Sequence, residues 1–487
     1  MRAGPMAVAA LLGLNGCSLA PHYARPSTPT PADAYKEAGE WKVATPADSA
    51  PRGPWWSVFQ EPELDRLEAE VTNANQSLRA ALAQLEQARA QTRIARSNYF
   101  PTLDAGVSAN RERVSINSPS YVAGKSATSN LYTLGGNLSY EADVFGRVRN
   151  TVANARYSEQ ATVGDVATMD LALHAELATD YYTLRGLDVE QKLLDQTVVD
   201  YARALALTLN LYKGGASPLS DVQQAQAQLE TARTQAEDNR LRRAQTEHAI
   251  AVLVGREAST FSLAPHPADK LPQLPAIDPG LPSELLERRP DVAAAERRVA
   301  AANANIGVAR AAYFPIFNLF GSAGVQSSAT SNWLTAPSQF WSIGPQAVLT
   351  LFDGGLHRAQ SAAAHAAYDQ QVANYRETVL TAYQDVEDNL AALRQLQLES
   401  VSEAAAVKAT QGALDQANLR YKGGIVTYLE VVSTENAALA ARLTAVDIEI
   451  RRADSTILLI RALGGDWEKP TIAAAPAPPA PPANPPG

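Results

Sequence analysis

The stretch "LNLYKGGASPLSDVQQAQAQLETAR" occupies residues 209–233, and "ANLRYKGGIVTYLEVVSTENAALAAR" occupies 417–442. Each has an amphipathic Ala/Leu-rich approach, one tetrapeptide, and a polar Ala/Leu-rich departure. The tetrapeptide is Tyr212-Lys213-Gly214-Gly215 in the first and Tyr421-Lys422-Gly423-Gly424 in the second. Glycine readily takes the left-handed conformation that ends a helix, and a second glycine lets the chain reverse. Each stretch therefore reads as helix, tight turn, helix. Two further markers recur in the same order: "ARSNYFPTLDAGVSA" (95–109) returns as "ARAAYFPIFNLFGSA" (309–323), and "DVFGRVRN" from Asp143 is answered by "DGGLHRAQ" from Asp353. The three offsets are 209, 214 and 210 residues. Near-constant spacing of three markers means an internal duplication.

The two bodies span 55–262 and 283–467, each reading as helix, two strands, long helix, turn, helix. In the first, the spacing predicts a helix over 63–98, strands over 102–115 and 131–143, a long helix over 147–211, a turn at 212–217 and a helix over 218–256. In the second, the corresponding spans are 284–312, 316–328, 340–353, 356–420, 421–426 and 427–463. Ala, Leu, Gln and Arg are strong helix formers, and Pro101 stops the first helix. Pro290 and Asp291 suit the first turn of its counterpart. The long helices run without proline, a length that points to coiled coil or helical repeat rather than a globular core. Val372, Tyr375, Val379, Ala382 and Val386 step by three and four along the second one.

After each "YFP" the period changes to two. Leu103, Ala105, Val107 and Ala109 share one face, as do Tyr132, Leu134, Leu138, Tyr140 and Ala142. The second body repeats this with Phe317, Leu319, Ala323 and Val325, then Trp341, Ile343, Ala347, Leu349 and Leu351. Strands of ~9–11 residues can cross a bilayer when tilted. Two arrangements fit the alternation: a soluble sheet with its polar face in water, or membrane strands. In lipid, four strands cannot close a barrel by themselves, so several chains would have to share one.

Met1-Arg2, the apolar run "MAVAALLGL" and "LNGC" ending at Cys17 have the layout of a bacterial lipoprotein signal over 1–16, with Cys17 as the lipid-bearing residue. The competing reading is a plain secretory signal beside a chance cysteine. Cys17 is the chain's single cysteine, which suits an oxidising periplasm. By resemblance to bacterial sorting, Ser18 after the cysteine directs the protein to the outer membrane. Residues 17–54 read as an extended leader, 263–282 as a Pro-rich connector, and 468–487 as a Pro/Ala-rich disordered tail.

The formal charge of −9 offers no basic stripe, so no nucleic acid partner is expected. No run of about 18 apolar residues is present, so no transmembrane helix is expected. The six histidines, His22, His174, His248, His266, His357 and His365, form no HExxH pair, and the three methionines and one cysteine make no soft metal-ligand set. Phosphate-binding and nucleophile-elbow motifs are missing too. The expectation is a protein that is no enzyme, with no metal and no cofactor beyond the lipid on Cys17.

The motifs "WWSVFQEPELDRL" (55–67), "YFP" at Tyr99 and Tyr313, "DVFGRVR" (143–149), "LLERRPDVAAAE" (285–296) and "RYKGG" (420–424), taken with the duplication and the lipobox, resemble the TolC-like outer-membrane efflux family, most closely its lipoprotein branch. The resemblance covers nearly the whole chain except the Pro-rich tail. It implies a mainly α fold with a four-strand membrane β contribution, in which a homotrimer shares one twelve-stranded transmembrane β-barrel in outer-membrane lipid above a long periplasmic α-helical barrel. A periplasmic adaptor and an inner-membrane RND-type pump are the implied partners, and the implied function is a passive conduit for drugs and other toxic small molecules. By position, the resemblance puts Leu429 in an apolar ring at a closed aperture. It puts Ser433 where relatives often carry an acid, so Glu430 and Asp221 are the acidic candidates, with Arg420 and Tyr421 bracing the turn. The paired YKGG turns are the implied adaptor-docking mouth. Alternatives are a helical scaffold lipoprotein without a pore, and an outer-membrane channel for type I protein secretion. A periplasmic adaptor would need lipoyl-like and β-barrel modules that the sequence lacks.

Overall fold

The computed structural model describes residues 18–28, 35–36, 54–119, 126–266, 271, 274–275 and 289–465. The signal segment, Cys17, most of the leader, much of the connector, the start of the expected 284–312 helix and the Pro-rich tail lie outside the described residues.

The duplication is visible in the element order. After a short 3-10 helix at Trp55–Phe59 come α1 (Pro62–Ala74), α2 (Gln76–Ser97), β1 (Thr102–Arg113), β2 (Thr128–Ala142), α3 (Arg147–Lys213) and α4 (Leu219–Leu253). Then follow α5 (Pro290–Ala311), β3 (Ile316–Ser327), β4 (Gln339–Val348), α6 (Leu356–Lys422) and α7 (Tyr428–Ala462). Both long helices have 67 residues and both helices after the turns have 35. At about 1.5 Å per residue each long helix extends roughly 100 Å. Among the described residues no helix is long and apolar enough to cross a membrane.

The chain divides into two compact units, and α3 and α6 contribute residues to both. The first takes the described residues within Met1–Thr28, Ala83–Val163 and Ala294–Glu377. It holds a four-stranded antiparallel sheet in the order β1-β2-β3-β4. Its register pairs Leu103 with Leu138, Val107 with Leu134, Leu134 with Val325, and Ala323 with Trp341. The alternating apolar residues of all four strands therefore share one face. That face is open: Leu103 is 76% exposed, Val107 69%, Trp341 77% and Ile343 68%. The 340–353 strand expectation overruns the ladder. Val348 pairs with Ile316, the first residue of β3, and Pro315 before it has no N–H to extend the pairing, so Leu349 and Leu351 fall outside the strand. Asp143 and Asp353, matched in the duplication, each cap a long helix. Asp143 accepts from the N–H groups of Val148 (3.0 Å) and Arg149 (2.9 Å), and Asp353 from those of Gly355 and His357 (both 2.8 Å).

The second unit takes the described residues within Pro29–Leu82, Gly164–Ala293 and Thr378–Gly487. Its core gathers Trp55, Phe59, Leu64 and Leu67 from the first motif, with Val71 farther along α1, against Leu177, Tyr181 and Tyr182 of α3, Ile250 of α4 and Ile457 of α7. Two buried polar clusters tie this core together. His174 Nδ1 lies 2.5 Å from Glu68 Oε2 under the Trp56 ring, whose centroid is 4.4 Å from the imidazole. Arg185 is paired with Glu63 and with Asp188, and Asp188 also accepts from Arg243 Nε at 2.6 Å. At the start of α5, Arg289 donates to Asp291 (2.7 Å), Asp385 (2.9 Å) and the Ala462 carbonyl (3.2 Å).

The single helix expected over 63–98 is two helices. Asn75 breaks it with an extended backbone, accepts from the Leu78 N–H at 2.9 Å as an N-cap, and donates to the Leu253 carbonyl at 2.8 Å. An amide side chain that serves two backbone groups outweighs the helix propensity of its neighbours.

Candidate functional site

Each YKGG is a helix C-cap built from two backbone bonds. At the end of α3 the Gly215 N–H bonds the Tyr212 carbonyl (2.9 Å) and the Ala216 N–H reaches back to Leu211 (2.8 Å). At the end of α6 the Gly424 N–H bonds Tyr421 (2.9 Å) and the Ile425 N–H reaches Arg420 (2.9 Å). This is the Schellman pattern, and it places Gly215 at φ 75° and Gly424 at φ 71°. Both helices run on to Lys213 and Lys422, two residues past the expected ends, because the cap forms on the second glycine rather than at the tyrosine.

The side chains around the two caps differ. Asp221, in the first turn of α4, accepts from Ser217 Oγ at 2.8 Å. Glu430, in the first turn of α7, pairs with Arg420 at 2.6 Å across the turn. Both acids complement a positive helix end. The Arg420–Glu430 pair is substantially exposed, so it contributes geometry more than stability, at most ~1 kcal/mol. Tyr421 and Tyr428 lie with ring centroids 5.4 Å apart, and Tyr428 is only 1% exposed in a cluster with Ala225, Ala417, Val431 and Val432. The first turn has Leu219 at the position of Tyr428, and Tyr212 there is exposed. Leu429, 58% exposed, and exposed Ser433 sit four residues apart on the open face of α7, away from that cluster. Lys213 and Lys422 are exposed.

The structure thus joins Arg420 to Glu430, Tyr421 to Tyr428 and Ser217 to Asp221, and leaves Leu429 and Ser433 facing outward. It also adds residues that sequence patterning does not single out. Asp200 and Leu207 of α3, Asp415 and Leu419 of α6, and Val431 and Glu435 of α7 line a groove of about 600 Å³ beside the second turn. Burial, and then the neighbouring Asp200 charge, push the Glu435 carboxyl up to about 7. The available signal was spacing: Tyr428, Val431 and Glu435 fall at i, i+3 and i+7, one helix face.

The duplicated layout has counterparts among known proteins. The family model described as outer membrane efflux protein matches residues 69–256 and 281–465, one stretch in each repeat. The outer membrane protein OprJ of Pseudomonas aeruginosa is 34% identical over 96% of this chain and 96% of its own length. The toluene efflux pump outer membrane protein TtgI of Pseudomonas putida is 33% identical over 94% of this chain and 97% of its own. The solved structure of the outer-membrane channel OprN superposes with a TM-score of 0.84 at 29% identity, covering 92% of this chain and 99% of that one. Agreement along both repeats, in sequence and in fold, leaves one conclusion: the chain belongs to the outer membrane efflux protein family.

Proposed function

We propose that three copies of this outer-membrane efflux channel share a twelve-stranded barrel and a periplasmic helical tunnel, forming a passive conduit without catalysis. A periplasmic adaptor docks at the YKGG turns, and an inner-membrane RND-type pump supplies the energy. The observation that carries this reading is the sheet: it has an exposed apolar face, and among the described residues β1 and β4 each pair on one side only. Open edges in lipid leave backbone groups without partners at several kcal/mol each, a cost removed when β4 of one copy meets β1 of the next. Drugs, solvents and other toxic small molecules are the proposed cargo, in keeping with the toluene pump in the name of TtgI.

Cys17 carries the lipid in this proposal. Support comes from the residue that follows it: Ser18 Oγ bonds Asn150 Oδ1 at 3.1 Å, and Ser18 Cα lies 3.2 Å from where a Cβ on Gly146 would stand. Gly146 falls between β2 and α3, so the chain emerging from the anchor is held where strand becomes helix.

At the periplasmic mouth, Leu429 and Glu430 line the closed aperture, Arg420 and Tyr421 brace it, and Asp221 with Ser433 completes the ring of candidates. Planar-bilayer conductance tests both the pore and the brace. The parent protein should open rarely, and Arg420→Ala, which frees Glu430, should raise the open fraction severalfold. A protein that never conducts would favour the scaffold reading, and an unchanged Arg420→Ala would remove the brace. Loss of small-molecule tolerance on deletion, with protein secretion intact, separates efflux from type I secretion.

A further inference from the structure

The face of the sheet opposite the apolar band is polar or small at most positions: Asp104, Ser108, Thr133, Asn137, Asn318 and Ser322 are typical. Leu131, Ile316 and Val348 interrupt it, and so do two aromatic residues, Phe320 within β3 and Phe340 at the second position of β4. Phe320 stands between Ser139 and Gly344 in the register and is 41% exposed. Phe340 stands opposite Gly324, which in turn stands opposite Gly135.

These two glycines explain where the Phe340 ring goes. A Cβ on Gly324 would sit 2.3 Å from the Leu134 carbonyl oxygen and 2.6 Å from Gly135 Cα, so no side chain fits there. Phe340 Cζ lies 3.2 Å from the position a Cβ on Gly135 would take. The ring therefore reaches across β3 to β2 along the sheet surface, over backbone, and stays partly exposed. Phe320 and the Gly324 level are four residues apart along β3, about 13 Å at ~3.3 Å per residue.

We propose that Phe320 and Phe340 form two aromatic levels in the wall of the barrel lumen, which transiently bind planar aromatic cargo, cationic aromatics included, as it passes. The inference rests on the barrel reading above, in which the polar face lines the lumen. Aromatic faces favour offset stacking with planar rings and attract cations. Such contacts are weak enough to release, which a conduit needs: a site that held cargo tightly would block it. Selectivity among cargoes would then have a contribution from the channel itself, at two side chains per chain.

Labelling of single cysteines in the full-length protein in outer-membrane vesicles tests this, with the parent protein as blank. Ser342→Cys lies on the polar face between the two levels, and Trp341→Cys lies on the apolar face. A membrane-impermeant maleimide should label the first and spare the second. The reverse pattern overturns the barrel reading and this proposal with it. With that orientation found, 1-naphthylmethylammonium should slow labelling of Ser342→Cys by roughly fivefold, whereas cyclohexylmethylammonium, equal in charge but without a π face, should not. Adding Phe320→Ser or Phe340→Leu should lose most of the protection; Phe340→Leu keeps apolar bulk and removes only the ring. Equal protection by both amines, or full protection in both phenylalanine variants, overturns the proposal and leaves the barrel reading standing.

Discussion

Glu435 has one carboxylate oxygen sealed from water and without a hydrogen-bond partner among the described residues. Its carboxyl is pushed up to about 7 by burial and by Asp200, while burial raises Asp454 to about 7, with help from Asp180 and Asp447, and Asp180 to about 6, with help from Glu176. In an unfolded chain such groups titrate near ~4. Between those values the folded protein holds protons that the unfolded chain has released. The associated stability is therefore full below about pH 4 and lost as pH rises through about 7. His174 acts in the same direction: burial works against its charge, but bonds to Asp170 and Glu68 prevail and hold it protonated. Thermal unfolding should accordingly occur at higher temperature at pH 5.5 than at pH 8. Glu435→Gln should raise stability at pH 8 by about 1 kcal/mol, a figure reduced for partial exposure, and should flatten the pH slope. An unaltered slope measured by calorimetry would count against the buried-carboxylate account. At this scale the sequence was legible where backbone conformation demands one residue type, as at Gly215 and Gly424. It was faint at Glu435: the spacing puts it on one face with Tyr428 and Val431, but a glutamate in a polar Ala/Leu-rich helix reads as a solvated face until three helices are seen to converge on it.

Among the elements, Asn75 matters more than its neighbours. Strong helix formers flank it on both sides, so periodicity alone carries one helix through; an asparagine before "QSL" is nevertheless an available N-cap signal. Asn75→Ala should destabilise the protein by about 2 kcal/mol, since it removes the cap on α2 and leaves the buried Leu253 carbonyl without its donor. Asn75→Ser, which keeps a cap acceptor but is too short to reach Leu253, should fall between Ala and the parent in chemical denaturation. Equal losses for both would mean that the contact with Leu253 carries the whole effect. The strands were legible from alternation because one face is apolar throughout. Their ends were less so: Leu349 and Leu351 keep the alternation of β4 after the partner strand has stopped, and pairing depends on the partner, which local pattern cannot report.

For the whole molecule, the repeat was written in three marker pairs, and it predicted two long helices that prove equal in length to the residue. The pairing of four strands into one sheet needed the register, which ties Leu134 to both Val107 and Val325 and so places β2 and β3 of different repeats side by side. That register also makes the problem plain: the described residues of one chain offer four strands, an apolar face and two edges, and no strand among them covers either edge. The count of chains in the membrane-extracted particle tests this most directly. Native mass spectrometry of the detergent-solubilised protein should give three chains per particle, resistant to dilution and converting to single chains only on heating. A folded, stable single chain carrying this sheet in detergent would contradict the shared barrel.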